Sequence, residues 1–163
     1  LVFGICGGYQ MLGRSVSDPD QVEAAGVTEI AGMDLLPMDT VFHGEKVQTQ
    51  TSGIFAGIDG MLSGLNGISF EGYEIHMGRS QEFLNPVTGS NNVYGSYIHG
   101  IFDAPGVTDM ILKTLCQQKG IDFEALGTFD MKAYKEQQYD KLADAVREGL
   151  DMELVYKILN QEV

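Results

Sequence analysis

Seven consecutive residues, Gly4-Ile5-Cys6-Gly7-Gly8-Tyr9-Gln10, carry the strongest chemical signal in the chain. A cysteine with glycines two before and two after it, following an apolar run, fits a sharp strand-to-helix elbow, because a Cβ at Gly4 or Gly8 is expected to clash where strand and helix close on each other. Such an elbow lifts the sulfur out of the sheet and sets it near a helix N-terminus, where the positive end of the dipole favours thiolate over thiol. The Gly7 N–H is then expected to face the oxygen of a tetrahedral intermediate. The plain alternative is a core cysteine beside a glycine-rich turn, since free cysteine is among the most buried residue types.

A nucleophilic thiol needs a base. His99 follows an apolar strand pattern and precedes Gly100, which leaves room for a substrate, so its imidazole is placed to take the thiol proton and return it to a leaving amine. His76 competes for that role, because a strand period of two puts it on one face with Glu74, while Tyr73, Ile75 and Met77 occupy the other. His76 and Glu74 are read as supporting or site-shaping residues. His43 has no companion feature and reads as a solvated turn residue. Arg79 is suited to hold a carboxylate by two hydrogen bonds, although a surface ion pair is the commoner fate.

The elements that must position these residues follow from hydrophobic periodicity. Leu1 to Ile5 reads as a buried strand and roughly Tyr9 to Arg14 as a helix ending near Gly13; Ser15 to Gly32 reads as a connecting loop with a short strand or turn. Val41 to Thr51 and Gly67 to Met77 alternate as half-buried strands of an antiparallel or mixed sheet, separated by a glycine-rich run. Asn85 to Asn92 reads as a surface loop and Val93 to Ile98 as a strand. Val107 to Lys119 has helical spacing with Ile111, Leu112, Leu115 and Cys116 inward. Helical spacing returns from Lys132 to Leu150 and from Met152 to Gln161, with Gly149 as the stop and Asp151 as the N-cap.

Composition narrows the class. The 163 residues, 44% hydrophobic with 21 glycines, suit one compact loop-rich domain spanning 1–163. A net charge of -13 with ten scattered basic residues leaves no cationic stripe for a phosphate backbone, which argues against nucleic acid. The two cysteines lack metal-ligand spacing and disulfide density, so free thiols in a reducing compartment and no metal are expected. No apolar run nears the roughly 20 residues of a membrane span and no signal-peptide pattern opens the chain, so a cytoplasmic location away from membranes is expected. Because the sequence opens on the apolar run Leu1-Val2-Phe3, it is expected to start inside a domain, N-terminally incomplete.

The run from Gly4 to Gln10 meets the Gly, any, Cys, any, Gly, any, Gln pattern of the class I glutamine amidotransferases, which this chain resembles. Within that class it is most similar to the cobyrinate-amidating branch, on four segments: Gly4 to Gly13, Gly32 to Thr40, Gly72 to Arg79 and Gly95 to Asp103, with Tyr139 to Asp144 similar as well. The resemblance implies an α/β, flavodoxin-like fold, a central mixed sheet flanked by helices with the elbow at its centre. It implies Cys6 as nucleophile, His99 as base and Gln10 as a residue holding the substrate, L-glutamine. Most class I relatives carry a glutamate two positions after the histidine, where this chain has Ile101. The branch resembles a cysteine and histidine dyad enzyme, with Glu74, Asp103 or a group on an upstream segment left as partners for the imidazole. The resemblance also implies a synthetase domain in the same polypeptide, outside this chain, with ATP and Mg bound there and no cofactor bound here, that amidates adenosylcobyrinic acid a,c-diamide. A cysteine-dependent hydrolase or peptidase on the same elbow, and a non-catalytic binding module, are the two rival readings.

Overall fold

The computed structural model describes residues 1–26, 28–80, 85–104, 106–124 and 130–162. The chain divides into two compact units, Leu1–Gly127 and Thr128–Val163. The first holds β1 (Val2–Ile5), α1 (Gly7–Leu12), β2 (Ser15–Ser17), β3 (Glu29–Ala31), β4 (Asp39–Ile54), β5 (Ser69–Ser80), β6 (Thr88–Ser90), β7 (Val93–Ser96) and α2 (Val107–Lys119), with short 3-10 turns at Gly60–Leu65 and Ile101–Asp103. The second holds α3 (Met131–Gly149) and α4 (Met152–Leu159), whose N-caps Asp130 and Asp151 accept from the amides of Ala133 and Leu154 at 3.0 Å.

The expected mixed α/β fold is present, but its strands form two sheets, ordered β1-β7-β6 and β3-β2-β4-β5. Within this chain the elbow follows β1, whose neighbour in the first sheet is β7. The two ladders stay separate because β5 pairs with β4 and its backbone joins the chain after β7 by a single isolated bridge among the described residues, Tyr73–His99, beyond which Gly100 turns away at φ 77°.

Alternation along β1 and β7 decides what lies on each face of their sheet. The strands are parallel, with Phe3 opposite Tyr94 and Gly4 opposite Gly95. Phe3 and Ile5 pack, with the fully buried Tyr94, into a core that includes Phe55, Leu62, Leu65, Phe70, Ile98, Ile101 and Val107. The two glycines open the other face to α1. A Cβ at Gly4 would stand 2.7 Å from the backbone of Gly8 and Tyr9, and one at Gly95 would enter the ring of Tyr9. Under α1, Tyr9, Leu12, Leu36 and Met38 form a second core.

Several expectations need correction. A Cβ at Gly8 meets nothing within 4 Å, so the elbow's close approach is made by Gly4 against the Gly8 backbone. The helix begins at Gly7, since Gln10 already donates its amide to the Cys6 carbonyl. Asn85 to Asn92 is not all loop: β6 pairs antiparallel with β7 across a two-residue turn at Asn91-Asn92, with Asn91 at φ 57°, a conformation asparagine tolerates. Leu112 is 38% exposed rather than inward, while Cys116 is buried. His43 is exposed but lies in β4, at the register shift between Phe42 and Val47.

These contacts separate the two glycines experimentally. Gly4→Ala is expected to destabilise the protein by about 1 to 3 kcal/mol, as overpacking does. Gly8→Ala, in a helix with open space at its Cβ, is expected to be neutral or stabilising by up to about 1 kcal/mol. Denaturant unfolding of the two variants checks both, and equal losses would contradict the close approach at Gly4.

Candidate active site

Cys6 stands at φ 51°, ψ -111°, one residue past β1 and one before α1. This is a strained backbone for a residue with a Cβ, of the kind that costs on the order of 1 to 3 kcal/mol and persists only where its surroundings over-determine it. Here the surroundings are the Gly4–Gly8 approach behind the turn and the Cys6 amide, which donates to the Ser96 carbonyl at 2.9 Å. Because β1 and β7 are parallel neighbours ending at Ile5 and Ser96, Cys6 and His99 both lie just beyond the carboxyl ends of adjacent strands. That is where α/β sheets place ligands.

β5 sets the remaining geometry with the edge it turns away from β4. Tyr73 and His99 exchange both backbone hydrogen bonds, His99 donating at 2.8 Å and Tyr73 at 3.1 Å. Two residues along, the Ile75 carbonyl faces the same edge, since carbonyls of a strand alternate in direction, and accepts from the Cys6 Sγ at 3.7 Å. Cys6 and His99 are thus both tied to one strand edge, at positions roughly 6.6 Å apart along it by the rise of about 3.3 Å per residue.

The two histidines differ in what their ring nitrogens face. His76 is occupied on both sides: Nδ1 lies 2.7 Å from the Gly78 carbonyl and Nε2 lies 3.2 Å from the Glu74 carboxylate. His76 also stacks on Tyr97, with centroids 3.9 Å apart. The Tyr97 hydroxyl in turn is 2.7 Å from Ser80 Oγ, which is 2.8 Å from Thr40 Oγ1. The Nε2 of His99, by contrast, is buried without a hydrogen-bond partner among the described residues. The imidazole and Cys6 are not hydrogen-bonded to each other.

Gln10 is 6% exposed, and its side-chain amide packs where Gly78 has no Cβ. A cleft of about 380 Å³, within the size range of small-molecule sites, opens beside Gly7 and Gln10 and is walled by Met11, Val16, Ile30 and Phe42. Its rim includes the loop after β2, which Asp18 holds by accepting from the amides of Val22, Glu23 and Ala24 at 2.8 to 2.9 Å. Arg79 forms an exposed ion pair with Glu45 at 3.4 Å. Ile101 is 1% exposed inside the core.

The dipole argument for a resting thiolate does not hold. Burial pushes the Cys6 thiol up, and the opposing pull of the Gly7 amide is the smaller of the two effects. The aromatic partners also escaped the sequence reading. Tyr73 is three residues from His76 and Tyr97 two from His99, but the stacking is crossed, Tyr73 on His99 and Tyr97 on His76, a pairing set by strand register.

Comparison with known proteins places this geometry in context. Residues 1–107 match the model of the CobB/CobQ-like glutamine amidotransferase domain. The chain is 50% identical to a cobyric acid synthase of Lachnoclostridium phytofermentans, in an alignment covering 100% of this chain and 36% of that protein. It is 43% identical to one of Ruminiclostridium cellulolyticum, over 99% of this chain and 35% of that protein. With one of Bacteroides fragilis it shares 39% identity, over 97% and 32%. The chain spans about a third of the length of these curated relatives. Among the described residues no helix is long and apolar enough to cross a membrane.

The raised thiol has a direct readout. With no substrate bound, the rate of Cys6 alkylation by iodoacetamide, resolved from Cys116 by peptide mapping, is expected to rise with pH to a midpoint above the value of about 8.5 for free cysteine. A midpoint below that value would show that the Gly7 amide outweighs burial.

Proposed function

The chain belongs to the family of CobB/CobQ-like glutamine amidotransferase domains, and from that premise we propose that it is the glutaminase portion of a cobyric acid synthase, a ligase of cobalamin biosynthesis that forms C–N bonds. Cys6 is the nucleophile and His99 its base. The observation that carries the reading is the strained elbow at Cys6 with His99 beyond the neighbouring parallel strand, both tied to the edge of β5.

The reaction uses groups already described. L-Glutamine enters beside Gly7 and Gln10, and His99 takes the Cys6 proton as the sulfur attacks the side-chain amide carbon. The oxyanion that forms is met by the Gly7 N–H. His99 then delivers its proton to the nitrogen, the C–N bond breaks, and ammonia leaves a glutamyl thioester. Water, deprotonated by His99, attacks that thioester through a second oxyanion, and its collapse releases glutamate and the thiol. His76 and Glu74 shape the site, because both nitrogens of the His76 ring are engaged.

In this reading ammonia passes to a synthetase domain of the same polypeptide, outside this chain, which uses ATP and Mg to amidate adenosylcobyrinic acid a,c-diamide. The whole enzyme is cytoplasmic. None of the residues described above is assigned to ATP.

In the full-length polypeptide carrying this chain, Cys6→Ala is expected to abolish glutamine-dependent amidation and leave ammonia-supported amidation intact. Parallel loss of both rates would make Cys6 structural. His99→Asn is expected to slow thioester formation by at least the roughly hundredfold typical of lost acid–base catalysis, and His76→Asn by less. A reversed order would move the base to His76 with Glu74 as its orienting carboxylate.

A further inference from the structure

An imidazole acting as a base must be held in one plane, or its proton transfer loses alignment with the sulfur. The position two residues after His99 is Ile101, buried in the core, and the Glu74 carboxylate is paired with the His76 ring. We propose that Tyr73 positions His99, its ring fixing the plane of the imidazole. The proposal rests on the reading of His99 as base and adds a residue to it.

The geometry carries the assignment from two directions. The Tyr73 and His99 rings lie at 9° to one another with centroids 5.0 Å apart, an offset parallel stack. Their backbones are joined by hydrogen bonds of 2.8 and 3.1 Å, so both Cα positions are fixed across a single bridge. With both Cα atoms held, the remaining freedom of the imidazole is rotation about its own side-chain bonds. A flat ring alongside opposes that rotation, because tilting the imidazole either breaks the stack or drives one ring edge into the other. The contact covers a face of the imidazole and consumes neither ring nitrogen, which leaves Nε2 open to exchange a proton with the thiol and then with the leaving nitrogen. A carboxylate holds a histidine through one nitrogen; a stacked ring holds it through the plane. β5 couples this to the nucleophile, since the strand that presents Tyr73 also presents the Ile75 carbonyl to Cys6.

Tyr73 is 48% exposed, so its side chain can be changed without opening the core. The test uses the full-length polypeptide with Tyr73→Leu and Tyr73→Phe, and compares glutamine hydrolysis, ammonia-supported amidation and thermal unfolding. Tyr73→Leu is expected to lower kcat for glutamine about 10- to 100-fold, the scale of a small misplacement of reacting groups, with KM for glutamine little changed. Tyr73→Phe, which keeps the ring and loses only the hydroxyl, is expected to restore kcat to within about threefold of the parent. The ammonia-supported rate and the unfolding midpoint are expected to stay at parental values in both variants. A normal kcat in Tyr73→Leu overturns the proposal, as does a Tyr73→Phe enzyme as slow as Tyr73→Leu, which would place the effect in the hydroxyl. If Tyr73→Leu also loses ammonia-supported activity, Tyr73→Met replaces it, and a normal kcat in that folded variant overturns the proposal equally. His99→Asn, run alongside, separates the two levels: full glutaminase activity there removes the base assignment itself, whereas loss there with a normal Tyr73→Leu removes only the role of Tyr73.

Discussion

The site depends on a backbone-to-backbone contact, Gly4 of β1 against Gly8 of α1, in which no side chain fits. That approach leaves a single residue, Cys6, to reverse the chain between strand and helix, and it forces that residue to positive φ. Strain at Cys6 is stable only because each flank is independently held: Gly4 by its ladder to Gly95, α1 by Tyr9 and Leu12 in the core beneath it, and the Cys6 amide by the Ser96 carbonyl. The sulfur is consequently placed chiefly by the framework, and a nucleophile so placed, as proposed for Cys6, would need no reorganisation before attack.

β5 provides the second constraint. One edge is spent on β4, and the other bonds to two separate pieces of chain, the His99 backbone and the Cys6 sulfur, through residues two apart. The Tyr97 ring, stacked on His76 and bonded through Ser80 towards the buried Thr40, packs against the far end of the same strand. Glu74, between the two contacts at Tyr73 and Ile75, and His76, just beyond them, pair with each other and so hold the shape of β5 there.

What was legible in the sequence follows from how local each feature is. The elbow, the helices α3 and α4 with the Asp151 cap of the second, and the shared face of Glu74 and His76 are set by residues within a few positions of one another, and all three are present, while the Asp130 cap of α3 went unread. The glycine at the close approach was misjudged because the pattern around Cys6 is nearly symmetric; only the direction of the Cα–Cβ bonds distinguishes Gly4, which points at the helix, from Gly8, which points into open space. The division into two sheets was hidden for another reason. Whether β5 joins β7 depends on how far the chain runs before Gly100 turns it, and hydrophobic alternation carries no information about register between segments as distant in sequence as Tyr73 and His99. The crossed pairing of tyrosines and histidines depends on that same register.

The raised thiol changes how the proposed chemistry must start. A resting thiolate–imidazolium pair needs surroundings that compensate both charges. At Cys6 the Gly7 amide is the favourable contact, and burial outweighs it. The thiol is therefore the favoured form before substrate binds. In the proposed reaction the proton leaves sulfur as the carbon–sulfur bond forms, so charge appears only when the amide oxygen is present to carry it and the Gly7 N–H to receive it. A ring stacked on the imidazole suits such a site, because it fixes the direction of proton transfer and consumes neither ring nitrogen. Geometry is then set in advance, and charge is deferred to the reaction.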